Sequence, residues 1–274
     1  MEDLVELLSY PFFRNALWGI VMISLASALI GTYIVSRRMV FISGGITHAC
    51  FGGLGLGYLT GLSPMWMAVL FAIGGSLGVD ALSRDRRVRR DTAIAVVWAT
   101  GMALGILFIF LRSGYAPDLN SFLFGNVLTI TRPDLWLFSA YTLAIILFFF
   151  IFKEIIIAVS FDEAFAATRR LPVRFINVSM TVIVALGIVL TIRMAGIMLL
   201  MSLLSLPQMT AEIHSRRYMR IMLWALVYAL VGSVGGLFAA YWLDVPASAT
   251  IVLLLVLLYV AVSLSARLVK RKIG

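Results

Sequence analysis

The sequence predicts an all-α fold: a polytopic membrane helical bundle with eight or nine transmembrane helices, one kinked near Pro207, plus one short cytoplasmic helix at about 160–171. Three observations predict it. Of 274 residues, 62% are apolar and 13% charged, against about 45–50% and about 25% in soluble domains. Apolar runs long enough to cross a bilayer, about 20 residues each, recur along the whole chain. Basic residues fall almost entirely in alternate connections. This pattern argues against a water-soluble enzyme, a disordered tail or a nucleic-acid partner. It makes residues 1–274 one membrane domain with no room for a second, aqueous one. The single cysteine, Cys50, excludes an intrachain disulfide or a Cys-rich metal site. The opening MEDLVELL is acidic where a signal peptide is basic, so the expectation is that it is retained.

The apolar runs are 14–35, 39–60, 64–83, 92–112, 134–158, 174–194, 196–213, 221–243 and 247–266. One set of connections holds 18 of the 22 basic residues, among them Arg37, Arg38, the RDRRVRR run at 84–90, Arg169, Arg170 and Arg216. The other set holds only Arg14, Arg112, Arg132 and Arg193. Positive loops stay cytoplasmic, so the C-terminus is inside and, with nine spans, the N-terminus outside. The net charge of +9 is then a topology signal, and the 84–90 run a solvated or headgroup-facing loop.

The uncertain span is 196–213. Pro207 interrupts its apolar run and removes a backbone hydrogen bond, which membranes tolerate only where protein or a wet cavity covers the freed carbonyl. Counted as a span it kinks near Ser205–Pro207 and follows a tight turn at Gly196. Counted as a dip, the total is eight. Glycine ladders at Gly53, Gly57 and Gly61, at Gly74 and Gly78, at Gly101 and Gly105, and at Gly232 and Gly236 suit close helix packing in lipid.

The second span carries His48 amid six glycines. An ionisable group at that depth faces a cavity, a partner or a pathway, and imidazole is a common neutral metal ligand. A histidine bonded to a neighbouring helix and a pathway histidine are both open readings. Thr47 and Ser43, four apart, share a face that would support a polar lane, while Cys50 points away from His48. His214, beside Arg216 and Arg217, is expected to be solvated.

SFDEAFAATRRLPVR, after the fifth run, has both ends of a short helix marked. Ser160 with Glu163 makes a capping box. Asp162 and Glu163 suit the positive helix end, and Arg169 and Arg170 the negative one. Phe161, Ala164 and Phe165 form an apolar stripe. Such a helix lies on lipid or fits a groove in a cytoplasmic partner. No GxxxxGK[ST] loop and no HExxH occur, and Ser76 with Asp80 does not make a nucleophile and base. The chain is therefore not expected to be an enzyme.

Six strings, in order over nearly the whole chain, carry a resemblance. They are PFFRNALWGI, VSRRMVFISGGITHA, DTAIAVVWATGMALGILF, DLNSFLFGNVLTIT, FDEAFA and GIMLLMSLLSLPQMTA. Together they resemble the membrane permease subunit of the ABC importers for zinc, manganese or iron. The resemblance implies a homodimer or paired permease in the inner (plasma) membrane. It implies an ABC ATPase subunit that hydrolyses ATP and an extracytoplasmic metal-binding protein that delivers the cation. It implies no tightly bound cofactor, only a transported divalent metal, zinc or manganese first. Residues 160–171 are then the coupling helix, with Phe161, Asp162, Glu163, Ala164 and Phe165 in a cleft of the ATPase. His48, with Thr47 and Ser43, lines the metal path. One departure stands out: many relatives have an aspartate where this chain has Gly44, which puts an acid-plus-imidazole gate in doubt. The alternatives are an ion-coupled secondary transporter, whose sign would be paired midplane ionisable residues in two repeated halves, and a scaffold with no need of a capped cytoplasmic helix.

Overall fold

A computed structural model describes residues 7–83, 88–112 and 125–273, save the side chains at 90 and 269–273. The arginines at 84, 86 and 87 and the first part of the DLNSFLFGNVLTIT string lie outside the described residues. Within them there is no strand. The helices are α1 (Pro11–Ser36), α2 (Val40–Thr60), α3 (Pro64–Leu82), α4 (Arg90–Phe110), α5 (Arg132–Phe161), α6 (Glu163–Thr168), α7 (Val173–Leu203), α8 (Leu206–His214), α9 (Tyr218–Leu243) and α10 (Ala247–Ile273). A single 3₁₀ turn, Val127–Thr129, precedes α5.

Two packs share a seam. In one, α2 lies between α3 and α4; in the other, α1 and α8 pack with α9 and α10. Helix α7 touches both. Close approach inside the first pack depends on missing side chains. A Cβ at Gly101 would stand 2.5 Å from Ala49 Cα and 2.7 Å from the His48 carbonyl, so α4 can lie directly on α2 only with glycine there. The ladder at Gly74 and Gly78 differs: a Cβ at Gly74 meets nothing within 4 Å, and one at Gly78 only Val97 at 3.8 Å. That face of α3 is open.

Eight helical stretches among the described residues are long and apolar enough to cross a membrane. One of them, Val173–His214, has 42 residues, about twice the need of one crossing. It turns back at Gly196, whose φ of 82° and ψ of 170° are open to glycine at little cost. Arg193 shares a pocket with Tyr58, Ser63 and Pro64, whereas Glu212, Ser215 and Arg216 line a cavity with Arg37 and Arg38. The stretch thus starts and finishes on one side and turns on the other. The described chain makes nine traverses, and α1 enters from the side opposite the arginine-rich ends.

The returning arm is broken a second time, at Ser205 (φ −128°, ψ −54°). Pro207 falls in the first turn of α8, where its missing N–H costs nothing. The kink expected near Pro207 is present, and the cover for its freed carbonyl is a side chain. Gln208, fully buried, donates through Nε2 to Leu203 O at 3.2 Å and to Ser27 O of α1 at 2.8 Å. Gly31 leaves the room: a Cβ there would collide with the Gln208 amide.

Large apolar side chains face outward. Trp66 and Trp136 start α3 and α5 and Trp242 ends α9, all at the outer side and all exposed, as suits an interfacial aromatic belt. Three helix ends turn through a left-handed residue that is not glycine: Arg38 (φ 56°), Arg170 (φ 57°) and Asp244 (φ 51°). Each is closed by a six-residue backbone bond, Met39 N to Ile34 O, Leu171 N to Ala166 O and Val245 N to Ala240 O, the Schellman pattern.

Candidate functional site

The intramembrane site is built where α4 lies on α2. His48 is half-buried. Its ring stacks on Trp98 at 4.2 Å between centroids and 17° between planes. Its Nδ1 lies 3.2 Å from Met102 Sδ. Trp98 and Met102 are four apart on α4, so both face the same turn of α2. Gly44 is one turn toward the cytoplasm on the His48 face. A Cβ there would meet Trp98 Cζ3 at 3.2 Å and Met201 Cε at 3.3 Å. The volume next to Gly44 is filled by an indole edge and a thioether from the returning arm.

Thr47 and Ser43 stand apart from this face. Both are buried. The Thr47 hydroxyl donates to Ser43 O at 2.6 Å. Ser43 Oγ lies 2.6 Å from Val40 O and 3.7 Å from Met201 Sδ. Their oxygens are occupied by their own helix, and His48 projects toward α4 instead. Cys50, also buried, donates to Ile46 O at 3.0 Å and lines the outer pocket under Arg193. Among the described residues no three His, Cys, Asp or Glu side chains cluster. A conduit needs no such cluster, since a closed tetrahedral site retains its ion. His214 is exposed, as expected of a solvated residue, and its Nε2 lies 2.8 Å from Tyr228 Oη.

The cytoplasmic helix α6 is present, with its cap in a different place from the sequence expectation. Ser160 is still in the last turn of α5 and donates back to Ile156 O at 2.6 Å. The cap is Asp162, whose Oδ1 accepts from Phe165 N at 2.8 Å. Two residues explain the shift: α5 runs on to Phe161, and Asp162 is the first with extended backbone (φ −149°, ψ 100°). The helix is shorter than 160–171. Phe161 and Phe165 are 65% and 53% exposed, Ala164 is exposed and Ala166 is buried. Ala164 and Phe165 therefore face away from the bundle, whereas Phe161, at the end of α5, sets its ring edge-on to Tyr218 of α9 at 6.5 Å. Arg169 lies over the Phe165 ring at 5.4 Å.

Glu163 behaves differently from its neighbours. Its Oε2 accepts from Arg37 Nη2 at 2.5 Å, and its Oε1 accepts from Asn177 Nδ2 at 2.8 Å. Arg37 Nη1 donates to Asn177 Oδ1 at 2.8 Å. Three side chains from the ends of α1, α6 and α7 close a ring. A cavity of about 970 Å³ opens beside it, bounded in part by Arg38, Glu212, Arg216 and Tyr259. Sequence reasoning had no cue for this ring, because Arg37 is 126 positions from Glu163. It also missed Trp98, Met102 and Met201, which look like ordinary apolar residues in their runs. Asp134 was also missed, although Thr131 three before it is a capping signal that would have marked it, and the box is formed. What could not be read is that Asp134 also takes Arg193 Nε at 2.8 Å.

The chain as a whole is similar to known proteins. The chain is 38% identical over 267 residues to an uncharacterised membrane protein of Synechocystis sp., covering 97% of this chain and 95% of that one. It is 29% identical to the manganese transport system membrane protein MntC of Listeria innocua, covering 94% and 92%. Among solved structures, PsaBC from Streptococcus pneumoniae in complex with Fab superposes with a TM-score of 0.85 at 26% identity, covering 95% of this chain and 94% of that one. The ABC 3 transport family matches residues 9–266, and the chain belongs to that family.

Proposed function

We propose that this multi-pass plasma-membrane protein is the permease subunit of an ATP-binding-cassette importer of a divalent metal cation. One observation carries the reading. The bundle presents two exposed phenylalanines on its cytoplasmic side, Phe161 at the end of α5 and Phe165 on the short, capped α6, which Glu163 fixes to two membrane helices. A pair of that kind fits a groove on a partner. The bundle itself has no phosphate loop, so ATP hydrolysis belongs to that partner. Phe161 and Phe165 are the docking contacts. Asp162 caps the helix, Ala164 lies in the docked surface, and Glu163 anchors the helix to its own chain.

A second copy or a paired permease completes the path along the half-buried face of His48, and an extracytoplasmic binding protein delivers the cation. ATP binding closes the motor subunits, and α6 passes that rigid-body movement to α1 and α7 through its three-residue ring. The cation meets few ligands on the way, His48 first among them.

Replacing both aromatics, Phe161→Asp with Phe165→Asp, leaves the ring intact. The double variant is expected to insert normally and to lose co-purification of the ATPase and ATP-dependent metal uptake. Retained co-purification removes α6 as the docking element. Uptake that persists with no ATPase present returns the secondary transporter.

A further inference from the structure

We infer that Met102, His48 and Met201 form a ladder of neutral nitrogen and sulfur donors that admits a borderline, thiophilic divalent cation such as zinc and disfavours manganese. The inference rests on the metal-permease reading and specifies its cargo. Met102 stands on the outer side of His48, and Met201 one turn further toward the cytoplasm. The usual zinc–nitrogen length is about 2.0 Å and even a thiolate sulfur sits about 2.3 Å from zinc; a thioether bond is longer still, so the two lengths together exceed the 3.2 Å between His48 Nδ1 and Met102 Sδ and one ion reaches both atoms.

Both thioethers differ from core methionines. Met180 and Met194 are buried among apolar groups. Met102 and Met201 are half-buried, and each sulfur lies against a polar atom, His48 Nδ1 in one case and Ser43 Oγ in the other. No acid lies inside the membrane on the segments that carry them. Helix α2 has none, 197–203 has none, and the one acid of α4 is Asp91 in its first turn. Manganese prefers carboxylate, carbonyl and water oxygens, whereas thioether and imidazole together suit zinc. A hard ion entering this ladder exchanges water oxygens for sulfur at a loss. A borderline ion exchanges them evenly, and weak neutral ligands let it move on.

The test uses the purified full-length permease and the metals alone, then the whole transporter in cells. Trp98 stacks on His48, so its fluorescence reports the site, and Trp98→Phe identifies its share of the signal. Zn²⁺ is expected to perturb that signal at about tenfold lower concentration than Mn²⁺. The double variant Met102→Leu with Met201→Leu conserves volume. It is expected to lower the zinc-to-manganese uptake ratio by about tenfold with ATPase co-purification unchanged. A ratio unmoved by the double variant, or tighter manganese binding in the wild type, overturns the ladder and leaves the permease reading standing. Absence of ATP-dependent uptake of zinc, manganese and iron alike by the wild-type transporter overturns the permease reading itself.

Discussion

The two ends of α5 are latched by the same chemistry turned inside out. At the outer end Asp134 is the buried partner, 11% exposed, and Arg193 is half-exposed at 50%. At the cytoplasmic end Arg37 is buried, 13% exposed, and Glu163 is half-exposed at 48%. Each latch joins the α5–α6 segment to α7 or its neighbour, since Arg193 and Asn177 sit near opposite ends of the same helix arm. The outer one is largely local. Asp134 already serves Thr131 through the backbone N–H at 3.2 Å and the hydroxyl at 2.5 Å, so the arginine adds to a cap that stands without it. The inner one is mainly long-range, with Tyr33 one turn before Arg37 as its local support: Arg37 Nη1 donates to Tyr33 Oη at 3.4 Å and the guanidinium lies 5.7 Å from that ring centroid. The latch spans three elements, and its acid lies on α6, a short helix outside the membrane. An anchored cap is built to hold position. Under the proposed docking of α6 on an ATPase, a ring with its acid on that helix is placed to transmit a pull.

Breaking the inner ring should therefore have the largest effect. Arg37→Ala strands Glu163 and Asn177, at about 1–2 kcal/mol once solvent at the half-exposed acid is allowed for. The functional loss is expected to be greater: metal uptake down about tenfold or more while the ATPase still co-purifies. Equal loss of both would make the ring merely structural. Next comes Gln208→Leu, which uncovers Leu203 O and Ser27 O. It should cost about 1–3 kcal/mol, read as a lowered melting temperature in detergent; an unchanged value would mean that the break is held by packing alone. Asp134→Asn should lower stability by about 1 kcal/mol and leave uptake per assembled complex unchanged, and a transport defect there would erase the contrast between the latches. The smallest effect is expected for Thr47→Val. The Thr47 hydroxyl serves only its own helix, so uptake should stay within about twofold. A larger loss would restore the polar lane beside His48.

Helix class, the traverse pattern and the cytoplasmic helix were legible because they follow from composition, run length and charge. Gly196 and Pro207 were legible as breaks because backbone chemistry marks them. The cap on α6 was displaced by two residues because Ser160 has two backbone options, and the apolar run of α5 reaches far enough to claim it. Residues joined across the fold were illegible. Nothing near Glu163 indicates Arg37, and nothing in an apolar run separates Met102 and Met201 from packing. His48 was legible as a candidate because its polarity is conspicuous there. Its neighbours were missed because sulfur and indole are not.

The left-handed turns described above have one more consequence. Glycine would occupy Arg38, Arg170 and Asp244 without strain, and a non-glycine residue there costs about 1 kcal/mol. The chain accepts that cost three times, with a cation at both cytosolic turns and an anion at the external one. The two cytosolic hinges thus double as compass marks: Arg38 and Arg170 end their helices and add to the positive charge that tells the insertion machinery which way up to leave them.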